Sequence, residues 1–163
     1  MPSNFRHIEF EFDRKCISPY DSEISFNGLG QPKNLRVLRL RFAQLKKLPQ
    51  ELGNLLNSLQ ELDLSSCQYL EELPRSISKL WSLRLLRIES SFGLRNLPND
   101  FESLNCLEEL HLGSCESLIV LPSSLEKLTS LQELSICLNW CIFTQVKLQF
   151  RSNCTGWWCM HNA

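Results

Sequence analysis

One phrase of 24 residues is said three times without a gap between residues 59 and 128, and nothing else in the chain constrains its fold as strongly. Leu59, Leu62, Leu64, Cys67, Leu70, Leu73, Pro74, Ile77 and Leu80 form the first copy. Leu83, Leu86, Ile88, Ser91, Leu94, Leu97, Pro98, Phe101 and Leu104 form the second. Leu107, Leu110, Leu112, Cys115, Leu118, Leu121, Pro122, Leu125 and Leu128 form the third. Only the Cys position changes character. Such self-similarity marks an architecture built by stacking one small unit on the next.

Each part of the phrase has a physical task. The last two leucines of Leu-x-x-Leu-x-Leu alternate with a polar residue, as a half-buried strand requires. Leu62 and Leu64 are therefore expected to point inward, and Glu61, Asp63 and Ser65 outward. The small residue at Cys67 can turn inward, where a thiol is a weak donor to the backbone. In the segment Leu-Pro-x-x-[Leu/Ile/Phe]-x-x-Leu, proline presets a helical φ and tolerates having no N–H in a first turn. Ile77 and Leu80, three apart, share one side of that turn. A single copy cannot bury its leucines. Stacked copies bury them in one continuous core, with parallel strands on the concave side.

The chain has 163 residues, a size expected for one domain. A net charge of −1 argues against broad nucleic-acid or membrane affinity, since either favours a basic surface. No run of 18 apolar residues is present, and charged residues interrupt the first twelve positions, so neither a spanning helix nor a secretory signal is expected. Eight cysteines raise the question of disulfides. Cys67 and Cys115 stand two repeats apart, and two strand spacings of about 4.8 Å come to roughly 10 Å. That exceeds the Cα limit of about 7 Å, so both are expected to be buried free thiols of a reducing, cytoplasmic setting.

Along the chain, three regions are expected. Residues 1–34 carry Phe5, Ile8 and Phe10 at repeat spacing and then turn residues such as Gly28, Gly30 and Pro32. They read either as a degenerate first repeat with a long loop or as an unstructured N-terminal stretch. Residues 35–142 are the regular repeats, with Leu35, Leu38 and Leu40 opening the first and Leu131, Leu134 and Ile136 the last. Leu48-Pro49 falls one residue early against Leu73-Pro74, a slip that a loop absorbs. Residues 143–163 are an atypical cap or truncated tail, in which Val146, Leu148 and Phe150 alternate like a closing strand. The run after Arg151, rich in Cys and Trp, has no repeat logic.

The sequence carries little that suggests chemistry. Gly28-Leu29-Gly30 lacks the remainder of a dinucleotide fingerprint, and Lys33 has no phosphate-loop context, so no cofactor is expected. His7, His111 and His161 lie far apart, and no catalytic residue is assigned. Cys137, Cys141, Cys154, Cys159 and His161 do not have the spacing of a standard zinc site, and no metal is expected.

The outward strand positions form columns across neighbouring strands. The first runs Val37, Glu61, Leu85, Glu109, Glu133; the second Arg39, Asp63, Arg87, His111, Ser135; the third Arg41, Ser65, Glu89, Gly113, Cys137. Arg39, Asp63 and Arg87 would make a charge ladder. Two readings of it stand side by side. It relieves repulsion at about 0.2–1 kcal/mol per exposed pair, or it belongs to a recognition face, basic at its start and acidic later. The candidate protein-binding residues are Arg39, Arg41, Asp63, Leu85, Arg87, Glu89, Glu109 and His111. Trp81, in the turn before a strand, is expected to pack on its neighbours. Five or six strands span only roughly 19–24 Å. The face therefore offers on the order of half the roughly 800 Å² per partner of a standard interface.

Ser58-Leu59-Gln60-Glu61-Leu62-Asp63-Leu64-Ser65-Ser66-Cys67, with Leu70-Glu71-Glu72-Leu73-Pro74 after it, resembles the leucine-rich repeats of plant intracellular disease-resistance proteins, the nucleotide-binding, leucine-rich-repeat receptors. So does the stretch from Leu121 to Leu134. The resemblance covers residues 35–140 and concerns the repeat region alone. It implies an α/β fold: a right-handed leucine-rich-repeat solenoid with a parallel concave sheet and short convex helical turns. It also implies a non-catalytic recognition module in plant defence, whose partner is a pathogen effector, a guarded host protein or a nucleotide-binding domain in a longer parent. The chain carries no nucleotide-binding motif, so it reads as a fragment, a truncated form or a stand-alone repeat protein. A general repeat scaffold or ubiquitin-ligase adaptor unrelated to immunity is the alternative.

Overall fold

Each Leu-x-x-Leu-x-Leu stretch becomes a strand around its second leucine, and the strands lie side by side in chain order. The computed structural model describes residues 6–11 and 34–136. Six parallel strands run β1 (His7–Glu11), β2 (Val37–Arg41), β3 (Glu61–Asp63), β4 (Leu85–Arg87), β5 (Glu109–Leu112) and β6 (Glu133–Ile136). The register follows the sequence period. Leu38, Leu62, Leu86, Leu110 and Leu134 stand abreast, and Ile8 joins the row beside Leu38. Residues 12–33 and 137–163, including the expected closing strand at Val146, Leu148 and Phe150, lie outside the described residues.

Backbone hydrogen bonds tie each copy to its neighbour in the same way. The carbonyls of Arg6, Arg36, Gln60, Arg84 and Glu108 each accept two N–H groups from the start of the next strand. Phe42, Ser66, Ser90 and Ser114, one per copy, adopt left-handed φ values of 59°, 62°, 56° and 57°. That conformation turns the chain off the sheet while the N–H of Ser66 still reaches Glu89 O at 2.7 Å. The residue after the turn points inward. Cys67 Sγ donates to Leu40 O at 3.1 Å, Ser91 Oγ to Leu64 O at 3.1 Å and Cys115 Sγ to Ile88 O at 2.9 Å. Thiol and hydroxyl thus do the same work, satisfying a buried carbonyl of the preceding copy. Burial pushes the Cys67 thiol up to about 12 and the Cys115 thiol up to about 11, so neither is a nucleophile at neutral pH. Both are free thiols.

On the outer side, Leu-Pro leads into 3-10 turns at Arg75–Lys79 and Ser123–Lys127, with a third at Phe101–Ser103. The early Leu48-Pro49 changes the geometry of its own copy. There the return segment closes as α1 (Leu52–Leu55), with Leu56 N–H bonded to Leu52 O four residues back. In the following copy Leu80 N–H bonds to Ile77 O, three back. The extra residue is taken up by a wider helical ring rather than by a loop. α1 packs so closely that a Cβ on Gly53 would stand 1.6 Å from Ser76 O. A second, narrower ladder crosses the outer side through Lys47, Glu72, Asn96 and Val120.

The core is one continuous stack of leucines. Leu35, Leu59, Leu83 and Leu107 at the strand entry and Leu56, Leu80 and Leu104 beneath the outer turns are fully buried. Burying one such side chain contributes about 1.5–3 kcal/mol, and each copy supplies the wall that buries the next. Trp81 departs from expectation: it is 60% exposed. The positions one repeat before and after it are Asn57 and Asn105, both exposed, and neither gives an indole an apolar surface to lie on.

Candidate protein-recognition face

Alternation along the strands places every second residue on the open side of the sheet. The three expected columns form, with Glu61, Leu85, Glu109 and Glu133 in one row and Arg39, Asp63, Arg87, His111 and Ser135 in the next. Arg41, Glu89 and Gly113 follow at the strand ends, and Cys137 lies outside the described residues. His111 is buried rather than free on the surface, and Leu85, Arg87 and Glu89 are half-buried.

The pairing within the face corrects the expected ladder. Arg39 stands abreast of Asp63 but does not bond to it. Its Nε donates to Glu61 Oε1 at 2.7 Å, and its Nη1 lies 3.4 Å from Glu9 Oε2. Arg41 Nε donates to Asp63 Oδ2 at 2.7 Å. Among the described residues no ion pair joins Asp63 to Arg87. The bonds run diagonally, two residues back on the next strand, because a long guanidinium side chain leans along the strand and reaches past the residue beside it. The hydrogen bond from Arg39 to Glu61 holds that guanidinium above its usual value, and Asp63 does the same for Arg41.

Asp63 stands on the open side of the sheet but is covered there by its neighbours. It is fully buried, its Oδ1 accepting from Ser65 N–H at 3.0 Å while Oδ2 takes Arg41. Burial pushes its carboxyl up, but hydrogen bonding from Ser65 and the Arg41 guanidinium outweigh burial and hold it below its usual range. The start of the face is therefore neutralised in place rather than basic. The later half differs. Nε2 of His111 lies 3.3 Å from Glu109 Oε2 and Nδ1 lies 4.0 Å from Glu133 Oε1. Glu61, Glu133 and Glu9 belong to the arrangement although the candidate residues did not include them. The first two share the column of Leu85 and Glu109, so repeat register was the signal that pointed to them.

The family described as leucine-rich repeat region matches residues 8–153. A probable disease resistance protein of Arabidopsis thaliana is 31% identical over 78 residues, covering 46% of this chain and 4% of that protein. The leucine-rich repeat domain of the type III effector XopL superposes with a TM-score of 0.50 at 25% identity, covering 64% of this chain and 43% of that domain. The chain thus spans less than half the length of either relative. Leucine-rich-repeat arrays are non-catalytic scaffolds that offer their sheet side to other proteins. No helix among the described residues is long and apolar enough to cross a membrane.

Proposed function

The chain belongs to the leucine-rich repeat family, and from that premise we propose that it is a protein-recognition module whose partner binds the open face of the sheet. The middle of that face carries the reading. Leu85 is half-buried beside Arg87, and neither Arg87 nor Glu89 forms an ion pair among the described residues. An arginine with unused donors next to an apolar side chain, near the centre of a patch, is the composition of an interface hot spot. Arg39, Arg41 and Asp63 already satisfy one another or their neighbours, so they shape the face more than they bind through it. The likeness to a disease resistance protein supports a role in plant defence, and the free thiols of Cys67 and Cys115 fit a reducing, cytoplasmic setting. The partner is then a pathogen effector, a guarded host protein or a nucleotide-binding domain of a longer parent.

The test is affinity capture from plant cell extract followed by cross-link mapping, with wild type beside a Leu85→Asp, Arg87→Glu double variant. The expected result is a partner cross-linked near residues 85–89 of the wild type and lost by the variant, at an unchanged circular dichroism melt. Equal capture by the two, or cross-links confined to the outer turns, would refute the assignment.

A further inference from the structure

We propose that His111, Glu109 and Glu133 form a site for a divalent transition-metal cation of the zinc class. This goes beyond protein recognition and does not depend on it. Glu109 and His111 are two apart on β5 and share its open face, and Glu133 stands in register with Glu109 on β6. One ligand atom from each residue lies within 4.8 Å of the others. A tetrahedral ion with bonds of about 2.0–2.2 Å asks for ligand atoms roughly 3.4 Å apart. The two glutamates, 44% and 51% exposed, have room to swing the remaining distance.

Two further observations point to a cation. The first is charge. Elsewhere on this face Glu61 takes Arg39 and Asp63 takes Arg41. Glu109 and Glu133 are like charges directly abreast, and among the described residues neither pairs with a lysine or arginine. The second is the imidazole itself. The His111 side chain is only 10% exposed, and each ring nitrogen faces a carboxylate: Nε2 at 3.3 Å from Glu109, Nδ1 at 4.0 Å from Glu133, beyond hydrogen-bond reach. The nitrogen facing Glu133 thus has no hydrogen-bond partner within reach, and its lone pair is the one a cation would take. A bound cation takes that lone pair and the carboxylate charge together. A mixed nitrogen and oxygen ligand set suits zinc and its neighbours better than calcium or magnesium, which take oxygen alone. Arg87, abreast of His111 on β4, and Arg84, whose charge acts on Glu109, oppose a cation here and should weaken its binding.

Isothermal titration of the full, reduced chain with Zn²⁺ alone tests the proposal. The wild type should take up zinc with micromolar affinity. His111→Ala and Glu133→Gln should each weaken that uptake by at least about tenfold, and Arg87→Gln should not weaken it. Glu133 is exposed, so Glu133→Gln keeps the test valid even where replacement of the buried His111 lowers the melt. No uptake by the wild type would overturn the site and leave the imidazole as a hydrogen-bond partner of Glu109 alone. Undiminished uptake by Glu133→Gln would also overturn it, by assigning the metal to cysteine thiols elsewhere in the chain.

Discussion

Asp63 shows how much one side chain can depend on its neighbours. It is a carboxylate with no exposure, held by a backbone N–H and by Arg41, which is itself 40% exposed. Its carboxyl lies below the ordinary 3.8 in the fold. A depressed native value means that folding favours the ionised form. The contribution is therefore complete above about pH 4 and is lost as pH falls through the native value. Asp63→Asn keeps the shape and removes the charge. It should cost about 1–2 kcal/mol at pH 7, near the low end for a charge-assisted bond because Arg41 is partly solvated. Urea unfolding of both proteins at pH 7 and near pH 2.5 checks this, and the gap should narrow at the lower pH. A gap that widens on acidification would contradict the assignment of Asp63 as a buried anion.

At the scale of elements, the turn that leaves each strand carries the same conformation in every copy. Ser66 holds φ at 62° without being glycine, a strain of roughly 1–2 kcal/mol for an L residue. Ser66→Gly relieves it and adds backbone entropy to the unfolded chain, so the melt should stay level or rise by up to about 1 kcal/mol. Ser66→Val adds a β-branch to the same backbone and should lose about 1–3 kcal/mol. Thermal unfolding of the pair decides it, and a valine variant as stable as the glycine variant would count against the strained turn. The strands, the inward leucines and the small inward residue at Cys67 were legible from spacing alone, because alternation and period fix which side a residue faces. The left-handed turn was not, since Ser65-Ser66 has no glycine to announce it. Nor was the change from a 3-10 turn to α1, which depends on how one extra residue is absorbed. The diagonal ion pairs were hidden for a similar reason: register tells which residues stand abreast, and side-chain lean decides which of them touch.

For the whole molecule, the fold is a row of nearest-neighbour contacts, with each copy buried by the next. The 24-residue register therefore decides two things at once: which side chains build the array and which remain for a partner. Leu110 and Arg87 stand on adjacent strands on opposite sides of that division. Leu110 is fully buried between the copies of β4 and β6. An unpaired charge there costs several kcal/mol against a total stability of about 5–15 kcal/mol. Arg87 has no ion pair among the described residues, and reversing its charge should change stability by no more than about 0.5 kcal/mol. The most direct measurement is circular dichroism with urea titration of Leu110→Asp and Arg87→Glu beside the wild type. Leu110→Asp should be unfolded or severely weakened, and Arg87→Glu should unfold with the wild type. A Leu110→Asp as stable as the wild type, or an Arg87→Glu that unfolds, would mean that the repeat register does not set the division between core and face.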